Sequence, residues 1–236
     1  MALASAGNLS GGRGQPGGIV FDLDDTLYLQ ADFKRSSFKA VGNWLEAEGL
    51  APSALATETL EHILRDHGPS YGSMFDRLAD RLKLDPALVP GMVEVLRSHR
   101  PELELFPGVR EMLLRLSGRT RLGLLTDGLA RVQRAKVAGL KIEGLFNRIV
   151  YSDELGTNKP DERLFAIFEE EFALPGSSLV YVADNPEKDF FGASGRGWLT
   201  VRVRTGEHDR DAASPGWDAA VTVDRATDAE ALFPEI

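Results

Sequence analysis

Two short apolar runs in this chain stop abruptly in carboxylates, and that pattern restricts the folds open to it. Gly18-Ile19-Val20-Phe21 leads into Asp22-Leu23-Asp24-Asp25, and Leu179-Val180-Tyr181-Val182-Ala183 leads into Asp184. Short apolar runs without polar alternation belong to strands covered on both faces, the condition of a parallel sheet between helices. Similar runs fall at 121–126, 148–151, 199–203 and 220–223. Helical patterns are expected between them at 109–116, 130–138, 161–172 and 190–194. Gly139 stands where a C′ glycine would close the second of these helices, and Pro160 where the third begins. The alternation predicts an α/β fold built on a parallel sheet.

The first strand is separated from the rest by about eighty residues of a different character. Phe38, Val41, Trp44 and Leu45 recur at helical spacing, as do Leu60, Ile63 and Leu64. Met74, Phe75, Leu78, Ala79 and Leu82 form a third stripe, and Leu88, Val89, Met92, Val93 and Leu96 a fourth. Gly49 to Pro52, Gly68-Pro69 and Asp85-Pro86 punctuate them. This predicts a small helical bundle over 29–105, inserted into a sheet unit made of 18–28 and 106–236. Residues 1–17, rich in Gly, Ser and Ala, lack the basic and apolar regions of a signal peptide and read as a disordered tail. Within that tail, Gly12-Arg13-Gly14-Gln15-Pro16-Gly17 has the spacing of a dinucleotide loop but precedes the first strand. Asn8-Leu9-Ser10 has that of a glycosylation acceptor, but nothing in the sequence suggests secretion, and the match is expected to be chance.

A formal charge of −9 argues against nucleic-acid binding, which needs a basic face. The chain has no cysteine, which excludes disulfides and thiolate metal sites. No apolar run reaches membrane-spanning length, so neither a membrane nor a nucleic acid is an expected partner, and a cytoplasmic location is expected. Histidines 62, 67, 99 and 208 are scattered and read as surface or core residues. Lys34, Arg35, Arg77 and Arg81 read either as solvated surface or as contacts for a substrate anion.

Four fragments lie at strand ends or beside them: Asp22-x-Asp24, Thr126-Asp127-Gly128, Lys159-Pro160, and Asp184-Asn185-Pro186-Glu187-Lys188-Asp189. Alone, each is compatible with ordinary turn chemistry. In an open parallel sheet, however, right-handed crossovers gather such strand ends at one edge. Converging carboxylates repel by roughly 4 kcal/mol per pair about 4 Å apart at an effective dielectric of about 20. They need a cation, and oxygen-only ligands suit Mg²⁺. With Lys159 added, the set makes a receptor for a phosphate group.

In order and chemistry these four fragments resemble the motifs of the haloacid dehalogenase superfamily of phosphotransferases. The resemblance covers the sheet unit closely and the insert in position and helix content. It implies a Rossmann-like, doubly wound parallel sheet with an inserted α-helical cap that closes over the site. It also implies a Mg²⁺-dependent phosphatase acting on a small phosphorylated metabolite, a sugar phosphate or nucleotide, through an aspartyl-phosphate intermediate. On this reading Asp22 is the nucleophile and Asp24 the general acid and base. Thr126, Asp127, Gly128 and Lys159 contact the transferring phosphate. Asp22, Asp184, Asp189 and the backbone carbonyl of Asp24 serve the Mg²⁺ site. Two positions depart from the family pattern: Ala183 replaces the usual glycine before Asp184, and Asp127 a common asparagine. A phosphomutase and a non-catalytic phospho-ligand-binding protein are the alternatives. Hydrolytic dehalogenation is disfavoured, because cleaving a carbon–halogen bond needs neither an acid at Asp24 nor Mg²⁺.

Overall fold

The computed structural model describes residues 16–232, so both tail spacings fall wholly or mostly outside the described residues. Strand β1 (Gly18–Phe21) is buried along its whole length, and its position explains why. It lies between β2 (Arg121–Thr126) and β4 (Leu179–Ala183) in a six-stranded sheet of order β3-β2-β1-β4-β5-β6. The others are β3 (Arg148–Tyr151), β5 (Leu199–Val203) and β6 (Val221–Val223), and every pairing is parallel. The chain builds outward from β1 through β2 to β3, then returns to place β4 on the other side of β1. The β1/β4 border is therefore the point where strand order reverses, the place where such sheets bind ligands.

Four helices follow β1: α1 (Gln30–Ala47), α2 (Ser53–His67), α3 (Met74–Leu82) and α4 (Val89–Ser98). They pack around a core of their own, with Phe38, Val41, Leu45, Leu60, Ile63, Phe75, Leu78 and Met92 buried together. The remaining helices are α5 (Val109–Ser117), α6 (Ala130–Leu140), α7 (Glu162–Phe172) and α8 (Phe190–Gly195). Side chains alternate across each strand, so Ile19 and Phe21 join the core under α5 and α6 while Val20 joins the core under α7 and α8. Among the described residues, no helix is long and apolar enough to cross a membrane.

Two expected helix boundaries are corrected. Gly139 does not end α6; the helix continues to Leu140, and Lys141 takes the left-handed position at φ 56°. A Cβ at Gly139 would lie 2.7 Å from the Pro101 carbonyl oxygen, so glycine serves close approach there, not termination. Pro160 likewise does not open α7. Asp161 is the N-cap, its carboxylate accepting the Arg163 N–H at 2.9 Å, and the helix starts at Glu162.

Candidate active site

The ends of β1, β2 and β4 carry the acidic cluster because the parallel register delivers them together. Phe21 pairs with Leu124 and Val182, and the Asp22 N–H continues the ladder by donating to the Val182 carbonyl at 2.9 Å. Asp22, Thr126 and Asp184 thus emerge side by side just beyond the sheet. They line a cavity of about 170 Å³ with Asp24, Asp25, Asp127, Asn185, Lys188 and His208. Gln30 and Ser70, from the helical insert, complete its wall.

Beneath the cavity floor sits Lys159, its side chain fully buried. Its ammonium lies 2.8 Å from Asp22 Oδ1 and 2.7 Å from Asp189 Oδ1, and donates to the Tyr181 hydroxyl at 3.0 Å. Burial lowers the proton affinity of this lysine, but Asp189 and Asp22 outweigh it and hold the group charged well above its ordinary range. Asp189 Oδ2 accepts the Asn185 N–H at 2.9 Å, which ties the loop after β4. Asp127 accepts the Lys159 backbone N–H at 3.3 Å, and the Lys188 ammonium stands 3.8 Å from its other oxygen. The carboxylate that replaces an expected asparagine therefore supports the lysine loop. Gly128 follows at φ 112°, a left-handed turn suited to glycine.

The carboxylates outnumber the cations. Asp22, Asp184 and Asp189 each present an oxygen within 4.8 Å of the others, all buried. Burial, helped by Asp189, raises Asp22 from 3.8 to about 6 despite Lys159. Asp184 is pushed well above the carboxylate range by burial and by Asp189 and Asp22. Among its described contacts, Asp184 has a hydroxyl, that of Thr26 at 3.3 Å. A buried, all-oxygen donor set short of positive charge fits a hard divalent cation such as Mg²⁺.

Asp24 lies apart from this triad, in a cradle of its own. Lys136 donates to both its oxygens at 2.7 and 2.8 Å, Gln133 Nε2 donates to Oδ2 at 2.9 Å, and the Tyr28 hydroxyl donates to Oδ1. Burial pushes Asp24 up, but Lys136, Tyr28 and Gln133 outweigh it and hold the carboxyl below its usual range. The same Gln133 amide donates to Thr126 Oγ1, linking the two motifs.

Sequence reasoning missed Tyr28, Gln133, Lys136 and His208. His208 is no stray histidine: it lines the cavity, accepts from Asn185 Nδ2 at 3.0 Å and contacts Asp211 at 2.6 Å. Gln133 and Lys136 carry a readable signal, since they lie three apart on the helix that follows Thr126. Of the four basic residues considered in the insert, Arg35 and Arg81 sit in surface ion pairs and Arg77 binds the Tyr71 hydroxyl. Lys34 is the one felt at the site; burial and the Lys136 ammonium lower its proton affinity, and Asp24 partly restores it.

Residues 19–203 match the model of the haloacid dehalogenase-like hydrolase family. The glyceraldehyde 3-phosphate phosphatase of Methanocaldococcus jannaschii is 31% identical over 198 residues, covering 81% of this chain and 86% of that one. The phosphoserine phosphatase of Thermus thermophilus is 28% identical over 225 residues, 82% of this chain and 90% of that protein. In fold, the chain is similar to the HAD-hydrolase YfnB from Bacillus subtilis bound to magnesium. That likeness has a TM-score of 0.70 at 15% identity and covers 94% of this chain and 100% of the other.

Proposed function

Since the chain belongs to the haloacid dehalogenase-like hydrolases and is a phosphoric monoester hydrolase with a small phosphorylated substrate, we propose that it is a Mg²⁺-dependent phosphatase working through an aspartyl-phosphate at Asp22. The observation that carries this reading is the Asp22 carboxylate itself. It lies at the end of the central strand in the cavity wall, is held by a buried lysine, and shares its surroundings with two further buried carboxylates.

In the first step an Asp22 oxygen attacks phosphorus, the ester P–O bond breaks, and Asp24 gives its proton to the departing oxygen. The cradle keeps Asp24 ionised in the free chain. A phosphate dianion arriving beside it raises its proton affinity, so Asp24 takes up one proton from solvent as the substrate binds and regains one from water in the second step. In the second step water attacks phosphorus, its proton passes to Asp24, and phosphate leaves with Asp22 restored. Thr126, whose oxygen already accepts from Gln133, has its own O–H to donate to a phosphoryl oxygen. Lys159 fixes the nucleophile, and the Asp127-Gly128 turn supplies backbone donors for the phosphate. Asp22, Asp184, Asp189 and the Asp24 carbonyl would hold Mg²⁺, which when bound neutralises charge on the carboxylates and on the transferring group.

The insert over 29–105 acts as the cap, contributing Gln30, Ser70 and Lys34 to the substrate side. The phosphatases this chain resembles are named for compact esters, glyceraldehyde 3-phosphate and phosphoserine, and that favours a small sugar or amino-acid phosphate as substrate. The test is phosphate release from a panel of phosphate monoesters with and without Mg²⁺, with Asp22→Asn as control. Mg²⁺-dependent release that the variant lacks supports the reading. Isomerised ester without free phosphate would replace it with a mutase.

A further inference from the structure

We propose that Gln133 and Lys136 are positioning residues that hold the Asp24 carboxylate in place for its proton-transfer role. The inference rests on the reading of Asp24 as general acid and base, and it adds two side chains from a helix that carries none of the motif residues. Both lie on one face of α6, three residues apart, and both are almost fully buried at 2% and 4% exposure. Lys136 Nζ bonds both Asp24 oxygens, and Gln133 adds a third bond to Oδ2. With Tyr28 on Oδ1, the donors surround the carboxylate and fix both its plane and its rotamer.

The orientation of Gln133 follows from its neighbours. Its amide faces a carboxylate and the Thr126 oxygen, so the nitrogen, not the oxygen, must point at them. One amide therefore sets the spacing between the group that contacts phosphate and the group that moves the proton. Lys136 also lies 4.7 Å from the centre of the Phe33 ring, so the first helix of the insert closes the cradle on its outer side.

A structural role alone does not account for these residues. Val132, Val137 and Leu140 pack the same helix with apolar side chains, which would serve a purely structural core better. A buried ion pair is often no more stabilising than the apolar groups that could replace it. Anchoring on a helix, not a loop, limits how far the acid can drift. Proton transfer is sensitive to that drift, because donor and acceptor must come within hydrogen-bond reach.

The test exploits the leaving group. An alkyl phosphate needs its departing oxygen protonated, whereas p-nitrophenyl phosphate expels a stable anion and does not. Turnover of the best alkyl phosphate of the panel and of p-nitrophenyl phosphate is measured for the wild type, Asp24→Asn, Lys136→Met, Lys136→Arg and Gln133→Leu, with a melting curve for each. Misplacing a general acid worth about 10²–10⁴-fold is expected to lower kcat on the alkyl ester by on the order of tenfold or more in Lys136→Met, with KM nearly unchanged. On p-nitrophenyl phosphate the same variant should show a burst of p-nitrophenol stoichiometric with enzyme, because phosphorylation proceeds while the water step, which still needs the base, lags. Lys136→Arg should recover part of the loss. Gln133→Leu should repeat the pattern more weakly, and it decides the matter should Lys136→Met fail to fold. Equal losses on both esters without a burst, or a change in KM alone, would overturn the proposal. If Asp24→Asn itself does not distinguish the two esters, it is the assignment of Asp24 that fails.

Discussion

Asp22 meets two opposed demands, since it must be an anion to attack phosphorus yet is buried beside Asp184 and Asp189. Without a cation, burial and the neighbouring Asp189 push its carboxyl up from the ordinary 3.8 to about 6, despite Lys159. Between those values the folded chain keeps a proton that the unfolded chain has lost. The stability from this group is thus fully present below about 3.8 and is lost as pH rises to about 6. Asp184, raised by burial and the same neighbours, acts in the same direction. Chelator-treated protein should therefore gain more melting temperature from added Mg²⁺ at about pH 7 than at about pH 5. A gain that did not depend on pH would show that the cation binds elsewhere. Asp22→Asn should abolish turnover while leaving the melting temperature of the metal-free protein unchanged or higher, because a neutral amide removes a buried charge. Thr126→Val, which keeps the volume and removes one donor, should lower kcat by roughly 10²-fold. These residues were legible because their order and strand-end positions survive in one dimension. Gln133 and Lys136 were not, since a polar residue on a helix is ordinary until a carboxylate is placed opposite it.

At the scale of elements, most strands and helices followed from apolar runs and stripes, and Gly139 is an exception with a tertiary cause. Gly139 reads as a terminator from its type, but the Pro101 carbonyl pressed against it is invisible in the sequence. The left-handed position falls to Lys141, whose side chain brings a steric cost that glycine lacks. Lys141→Gly should raise stability by about 0.5–1 kcal/mol without altering turnover, as read by thermal melts. Arg110, which bonds the Leu140 and Lys141 carbonyls, would keep the helix end satisfied. Ala183 is fully buried in β4, where its methyl belongs to the core under α7 and α8. Ala183→Gly should cost roughly 0.5–1 kcal/mol and leave kcat near its starting value. A large loss of activity would show instead that this turn controls Asp184.

At the scale of the whole molecule, sheet unit and insert meet through apolar contacts, Phe33 and Leu96 joining the core under α5 and α6, and through polar ties at the cavity. Asp25, at φ 52°, accepts the Gln30 N–H at 2.8 Å and the Glu207 N–H at 3.1 Å. The Glu207 carboxylate in turn accepts from Ser70, in the loop between α2 and α3. The loop at 206–208 thus joins the motif turn after β1 to the far end of the insert. Glu207→Ala should speed hydrogen exchange at 68–72. It should also raise KM by about fivefold, the equivalent of one hydrogen bond of roughly 1 kcal/mol. Unchanged exchange in that loop would show that the tie does not order it.

Strand period, helix period and the order of four polar fragments were written in the sequence, because burial pattern and chain order are local properties. They determined an α/β chain with a helical insert and a cluster of carboxylates at one sheet edge. Which donors close on Asp24, that His208 reaches the cavity wall, and that Glu207 spans to Ser70 were decided only by the tertiary structure. Those contacts join residues up to 137 positions apart, and the pairing depends on sheet register and helix packing. No spacing along the chain encodes that.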